Sequence, residues 1–201
     1  MEPFFTPHRI WPGGGPFPHV LVPLGAYPPA RAYARAHADL LAGHGDLLGV
    51  APGDWLHATV QGVHHPVNAD QEDRLRAALR AELAGTRPFA VQLGPVWPGV
   101  TAVTAALYPE DGMAELNRRA RAAAHRVPGI TPRPPEARFW AHATLAYARR
   151  AFPDQRLNRA LRALRPARVT LTVDRVHLVT QRQHPERGYY TWDVTEEIRL
   201  G

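Results

Sequence analysis

The chain is 201 residues long and carries a net charge of +6, with 24 basic side chains against 18 acidic ones. It contains no Cys, Ser or Lys, so every basic residue is Arg. This composition excludes disulfide frameworks, thiolate and serine nucleophiles, Schiff-base and lysyl-adenylate chemistry, and the Lys-dependent phosphate loop. The length fits one domain able to bury a core. No run of about 18 apolar residues predicts a membrane-crossing helix. The opening residues, interrupted by Pro3, Pro7, Pro12 and Pro16, lack the basic start and apolar stretch of a secretory signal, so a cytoplasmic location is expected. Excess positive charge favours polyanions such as RNA, and Arg grips phosphate in a bidentate way. Many Arg residues, however, sit on apparent helix faces (Arg74, Arg76, Arg80; Arg156, Arg159, Arg162), which simple solvation explains equally well.

In chain order, a Pro/Gly-rich segment, 1–16, precedes a strand expected over His19–Leu24. A helix is predicted from Pro29 to Leu41, opening on Pro28-Pro29, placing Tyr33, His37, Leu40 and Leu41 on one face and ending at Gly43. The pentapeptide Trp55-Leu56-His57-Ala58-Thr59 follows. A helix over Ala69–Ala84 comes next, with Asn68 as N-cap, Gln71 three residues on, and a Leu75, Leu79, Leu83 stripe closed by Gly85. A strand over Phe89–Val96 completes the unit. The pattern then repeats: a strand over Val100–Leu107, and a helix over Glu110–Ala124 with Met113, Leu116, Ala120 and Ala123 in phase. The pentapeptide returns as Trp140-Ala141-His142-Ala143-Thr144. A helix over Pro153–Leu164 with Leu157, Leu161 and Leu164 in phase, and a strand over Arg168–Val173, follow it. Two further strands are expected at Arg175–Gln181 and Tyr189–Val194. The order strand, helix, motif strand, helix, strand thus occurs twice, which predicts an α+β chain with a pseudo-two-fold axis.

In a strand, alternate residues share a face. Trp55, His57, Thr59 and Gln61 therefore point one way, as do Trp140, His142 and Thr144 in the second copy. Packing the halves about the pseudo-axis brings His57, Thr59, His142 and Thr144 together. These are two groups that titrate near neutrality and two hydroxyls that can donate to phosphoryl oxygens. Two imidazoles on one substrate can take one proton and give another. Trp55 and Trp140 either stack on a nucleobase or cap the core beside each motif. His64-His65, ahead of Pro66, reads as a loop, and no acidic or Cys partners at ligand spacing argue for a metal.

The doubled His-x-Thr with an apolar follower, its two His 85 positions apart, resembles the 2H phosphoesterase superfamily, and most closely its LigT-like branch, the bacterial 2′-5′ RNA ligases or cyclic phosphodiesterases. Val176-His177-Leu178-Val179-Thr180-Gln181 and Gly188-Tyr189-Tyr190 resemble that family's closing strand and return strand. There are departures. Thr180-Gln181 stands where the family's closing strand often ends in Ser, Tyr147 stands where an Arg often follows the second Thr, and Val60-Gln61-Gly62 follows the first.

The resemblance implies one bilobal domain over 1–201, with lobes of about 17–97 and 100–200 around a central cleft. It implies metal-independent hydrolysis of a 2′,3′-cyclic phosphate or 2′-5′ phosphodiester, with an RNA end or a nucleotide as substrate and no cofactor, metal or membrane partner. The protein is expected to act as a monomer. His57, Thr59, His142 and Thr144 are the expected catalytic set. Gln61, Tyr147, Arg149 and Tyr190 are the expected substrate contacts, with Tyr147 out of phase with His142 unless the strand is bulged. The competing readings are a non-catalytic RNA-binding or nucleotide-binding protein on the same fold, and a phosphodiesterase for a small cyclic nucleotide or an ADP-ribose derivative.

Overall fold

The computed structural model describes all residues, 1–201. Nine strands and five helices follow in order: β1 (Phe17–Val22), α1 (Pro28–Arg35), α2 (Ala38–Ala42), β2 (Leu48–Val50), β3 (Ala58–Gly62), α3 (Ala69–Leu83), β4 (Phe89–Pro98), β5 (Ala102–Tyr108), α4 (Asp111–His125), β6 (His142–Ala148), α5 (Gln155–Leu164), β7 (Val169–Val173), β8 (Arg175–His184) and β9 (Tyr189–Arg199). The strands form two antiparallel sheets. One has the order β3-β1-β8-β9, the other β2-β6-β5-β4-β7. Helices α3 and α4 pack together over the first sheet, and α1, α2 and α5 cover the second.

The two sheets interleave along the chain rather than dividing near residues 97–100. β4 leaves the first sequence unit to pair with β5, and β8 returns from the C-terminal region to pair with β1. Each sheet therefore borrows two strands from the other half, β8 and β9 in one and β2 and β4 in the other, and β3 and β6, which carry the pentapeptides, lie against each other where the sheets meet.

Local chemistry explains the helix ends. In α3, Asn68 Oδ1 accepts from the Gln71 amide at 2.9 Å and Gln71 Oε1 accepts from the Asn68 amide at 3.0 Å, a reciprocal cap that satisfies two otherwise orphaned donors. Leu75, Leu79 and Leu83 are buried as the stripe requires, as are Met113, Leu116, Ala120 and Ala123 on α4. The helix predicted over 29–41 is broken into α1 and α2. The His37 ring donates to the Tyr33 carbonyl at 2.9 Å, while its backbone amide turns to Ala34 instead, tightening the chain into a kink. The apolar stripe of α5 stops at Leu161, for Leu164 is 41% exposed. The short edge strand β2, with no pattern of its own, pairs with the end of β6.

Candidate active site

One cleft of about 780 Å³ opens between the sheets, and His57, Thr59, His142 and Thr144 all line it. Each His is oriented the same way. His57 Nδ1 lies 2.9 Å from the carbonyl of Trp55, and His142 Nδ1 lies 2.9 Å from the carbonyl of Trp140. A carbonyl can only accept, so Nδ1 carries the proton in both neutral rings and Nε2 is the basic nitrogen. The motif's first and third residues thus cooperate. The backbone two positions upstream fixes the tautomer that the imidazole needs to act through Nε2.

Directly after each Thr the strand bulges. Leu21 pairs with Thr59 while Val20 pairs with Gln61, leaving Val60 as the extra residue; Thr104 pairs with Thr144 while Val103 pairs with Ala146, leaving Leu145 extra. A bulge reverses the alternation beyond it. This corrects the expectation for Gln61. Its side chain faces α4, accepting from Asn117 at 2.9 Å and donating to the Arg133 carbonyl at 3.0 Å, and it does not line the cleft. The same device brings Tyr147 into the cleft, against Phe4, Phe5 and Tyr190. At the position matching Tyr147, the first copy has Gly62. A Cβ there would lie 2.6 Å from His19 Nε2 and 2.9 Å from His64 Nε2, so the two imidazoles occupy the space a side chain would take.

Tyr190 lines the cleft, its hydroxyl 3.3 Å from Gln183 Nε2. Arg149 does not reach it. β6 ends at Ala148, and the Arg149 guanidinium donates to the carbonyls of Glu186 (3.3 Å) and Arg187 (2.8 Å), fastening the β8–β9 turn where Gly49 and Gly188 pack backbone to backbone. The two Trp residues part company. Trp55 meets Trp192 edge-on at 4.9 Å beside Leu21 and Val179. Trp140 is 41% exposed and stacks on His142 at 4.1 Å.

Several cleft residues escaped the sequence reading. Gln181 Nε2 donates to His57 Nε2 at 3.3 Å. Phe4, Arg9 and Trp11 come from the Pro-rich opening segment, and Arg133 from the connection between α4 and β6. Neither segment has a periodicity that assigns it a face. His64 lines the cleft whereas His65 turns away, accepting from the Thr131 amide at 3.0 Å. No three His, Asp or Glu side chains converge as a metal site.

Burial dominates the electrostatics. It lowers the pKa of His57 to about 4, against the Trp55 hydrogen bond, with the neighbouring His142 pushing the same way. Burial also lowers His142, opposed by the Trp140 carbonyl and by Glu136, while Arg133 adds to the lowering. Desolvation raises the Tyr147 phenol and takes Tyr190 up to about 12, so both are neutral donors.

The sequence profile of the 2′-5′ RNA ligase superfamily matches residues 28–185. No curated protein matches the chain. Among solved structures, TT0787 of Thermus thermophilus superposes with a TM-score of 0.66 at 19% identity, over 92% of this chain and 97% of that one. E. coli LigT complexed with 3′-AMP superposes with a TM-score of 0.66 at 17% identity, over 92% and 98%. A crystal structure of a phosphoesterase gives 0.65 at 16%, over 92% and 98%. At these identities the superpositions speak for the fold. The profile spans most of the chain and the fold agrees along nearly its whole length, so the chain belongs to the 2′-5′ RNA ligase superfamily, with the fold of the LigT-like 2H phosphoesterases.

Proposed function

We propose that the protein is a metal-independent phosphodiesterase that opens a 2′,3′-cyclic phosphate, or cleaves a 2′-5′ phosphodiester, at an RNA end or in a nucleotide. The observation that carries this is the pair of imidazoles, each held through Nδ1 by its own Trp carbonyl so that Nε2 is the basic nitrogen, in one cleft with two Thr hydroxyls. The asymmetry of their surroundings supports a division of roles. His57 is the more strongly desolvated, and the amide N–H of Gln181 points at its Nε2, which favours the neutral ring. It is the base. His142 is half-buried beside Glu136, whose charge favours the imidazolium. It is the acid.

His57 Nε2 takes a proton from water as the water oxygen bonds to phosphorus. The bond from phosphorus to one ribose oxygen breaks, and His142 delivers its Nε2 proton to that oxygen. Thr59 and Thr144 donate to the non-bridging oxygens as charge builds there. Binding of 3′-AMP by LigT, a protein of the same fold, supports a nucleotide in this cleft.

The test is product formation from 2′,3′-cyclic AMP and from a 2′-5′-linked diadenosine in EDTA. Wild type should turn over at least one of them, and His57→Ala or His142→Ala should each lose about 10²–10⁴ in rate. No turnover of either substrate by wild type, or unchanged turnover by the double variant, refutes the proposal and leaves a nucleotide-binding protein.

A further inference from the structure

We propose that Arg133 and Arg9 form a second anion subsite at the mouth of the same cleft, one that takes a phosphate carried one nucleoside away from the reacting one. This rests on the nucleotide reading of the cleft given above, and names the substrate class within it: a chain end or bisphosphate rather than a simple cyclic mononucleotide.

The strands that bear the motifs bring no cation to the cleft, since Arg149 is turned onto the β8–β9 loop. Arginine charge reaches the cleft from irregular backbone, Arg9 from the opening segment and Arg133 from the α4–β6 connection. Arg133 is built in from three sides. Its amide donates to Gly62 O at 2.8 Å, and its carbonyl accepts from Gln61 Nε2 at 3.0 Å and from an Arg121 Nη at 2.5 Å. Gln61 is itself held by Asn117. A connecting segment tied this firmly fixes the backbone from which the guanidinium projects. Gln61, expected at the substrate, instead positions the residue that meets it.

Arg9 is held in a similar way. Its carbonyl accepts from Gln183 Nε2 at 2.9 Å, while its guanidinium rests on Thr101 Oγ1 at 3.2 Å and over the Phe4 ring at 5.2 Å. Those partners leave its charge unmatched by a carboxylate. Arg133 does have one, Glu136, but both side chains are more than 40% exposed, and an exposed pair exchanges readily for a doubly charged phosphate. Arg9 and Arg133 line the same cleft as Tyr190 and His142, and neither guanidinium is bonded to His142. A cleft of about 780 Å³ lies at the upper end of small-ligand pockets, which leaves room beyond one nucleotide.

Calorimetric titration with adenosine 3′-monophosphate and adenosine 3′,5′-bisphosphate, at about 0.1 M salt, tests the proposal. Wild type should bind the bisphosphate roughly tenfold or more tightly. Arg133→Gln and Arg9→Gln should each narrow that gap, weakening the bisphosphate more than the monophosphate. Arg162→Gln, which removes the same charge from the exposed face of α5, should leave the gap as it is. Equal affinities in wild type, equal weakening of both ligands by the cleft variants, or an Arg162→Gln effect as large as theirs overturns the subsite. Turnover of 2′,3′-cyclic AMP without an affinity gap would remove the subsite and leave the phosphodiesterase standing. Absence of both turnover and binding would remove both.

Discussion

The two copies of the pentapeptide are locally alike and globally different. In both, a Trp carbonyl orients the His ring and a bulge follows the Thr. Around His57 the molecule is closed: Gln181 reaches its Nε2, Trp192 lies edge-on at 4.9 Å, and Trp55 packs away in an apolar cluster. Around His142 it is open, with an exposed Trp140 stacked on the ring and the Arg133–Glu136 pair nearby. The duplicated motif supplies two equivalent imidazoles, and the strands that cover them unequally make the imidazoles chemically distinct. Such a difference suits acid–base chemistry, because the ring proposed as base is the one that more readily stays neutral.

The largest expected effect would break this comparison if the roles were shared. With a substrate whose leaving group is a nitrophenolate, which departs without a proton, His142→Ala should recover most of the 10²–10⁴ it loses on 2′,3′-cyclic AMP, about as much as an acid contributes. His57→Ala should recover little, since the attack on phosphorus still lacks its base. Stopped-time assays on both substrates give the ratio. Equal recovery by the two variants would mean that burial does not assign the roles.

The pH profile is the next effect in size. As the proposed base, His57 must be neutral to act, so kcat/KM should fall below pH about 4. As the proposed acid, His142 must be protonated to act, and burial holds it below its ordinary 6.5, so the alkaline limb should begin below pH 6.5. Each limb should approach about tenfold per pH unit, and the midpoints belong to the coupled pair. A plateau extending to pH 8 contradicts an acid in the environment of His142.

How much of this was legible in the sequence follows from the same strands. Alternation is a local rule, and it holds from His to Thr in both copies, although Trp55 sits in a turn before its strand and packs away from the cleft; His57, Thr59, His142 and Thr144 could therefore be placed together from the residues alone. It fails at Val60 and Leu145, because a bulge is set by pairing with a neighbouring strand and leaves no mark in the hydrophobic pattern. One irregularity, repeated, accounts both for Gln61 leaving the cleft and for Tyr147 entering it. Lobe membership was hidden for a related reason. β4 reads as the end of the first unit, and only its pairing with β5 shows that it belongs to the other sheet. Phe4, Arg9, Trp11 and Arg133 lie on irregular backbone whose faces are set by tertiary hydrogen bonds such as Gln183 to Arg9.

Unequal burial also predicts unequal effects on stability. His57 is neutral in the fold down to about pH 4 and titrates near 6.5 when unfolded, and burial takes His19 down to about 3. Between these values the unfolded chain binds more protons. The stability that these rings contribute as neutral groups is thus present above pH 6.5 and is lost as the pH falls through the folded values. Urea midpoints measured from pH 7.5 to 4 should decline, and His57→Gln should flatten the decline more than His142→Gln, which lies nearer the surface. The reverse ranking would mean that the first half is no more closed than the second.

The smallest effects separate the two Trp residues. Trp55 fills space against Trp192, Leu21 and Val179, so Trp55→Ala should lower the urea midpoint, with a loss of unfolding free energy of roughly half or less of the 3–5 kcal/mol typical of a fully buried Trp, because Trp55 is only partly covered. Trp140→Ala should leave the midpoint nearly unchanged, since the ring is already in solvent on one side. It should instead raise KM for base-bearing substrates, by an amount equivalent to roughly 1–3 kcal/mol if a nucleobase stacks there. A parallel rise for ribose 2,3-cyclic phosphate, which has no base, would show that the ring serves His142 rather than the substrate. The 4.1 Å stack on that imidazole makes this the result that would most directly redefine the open half of the site.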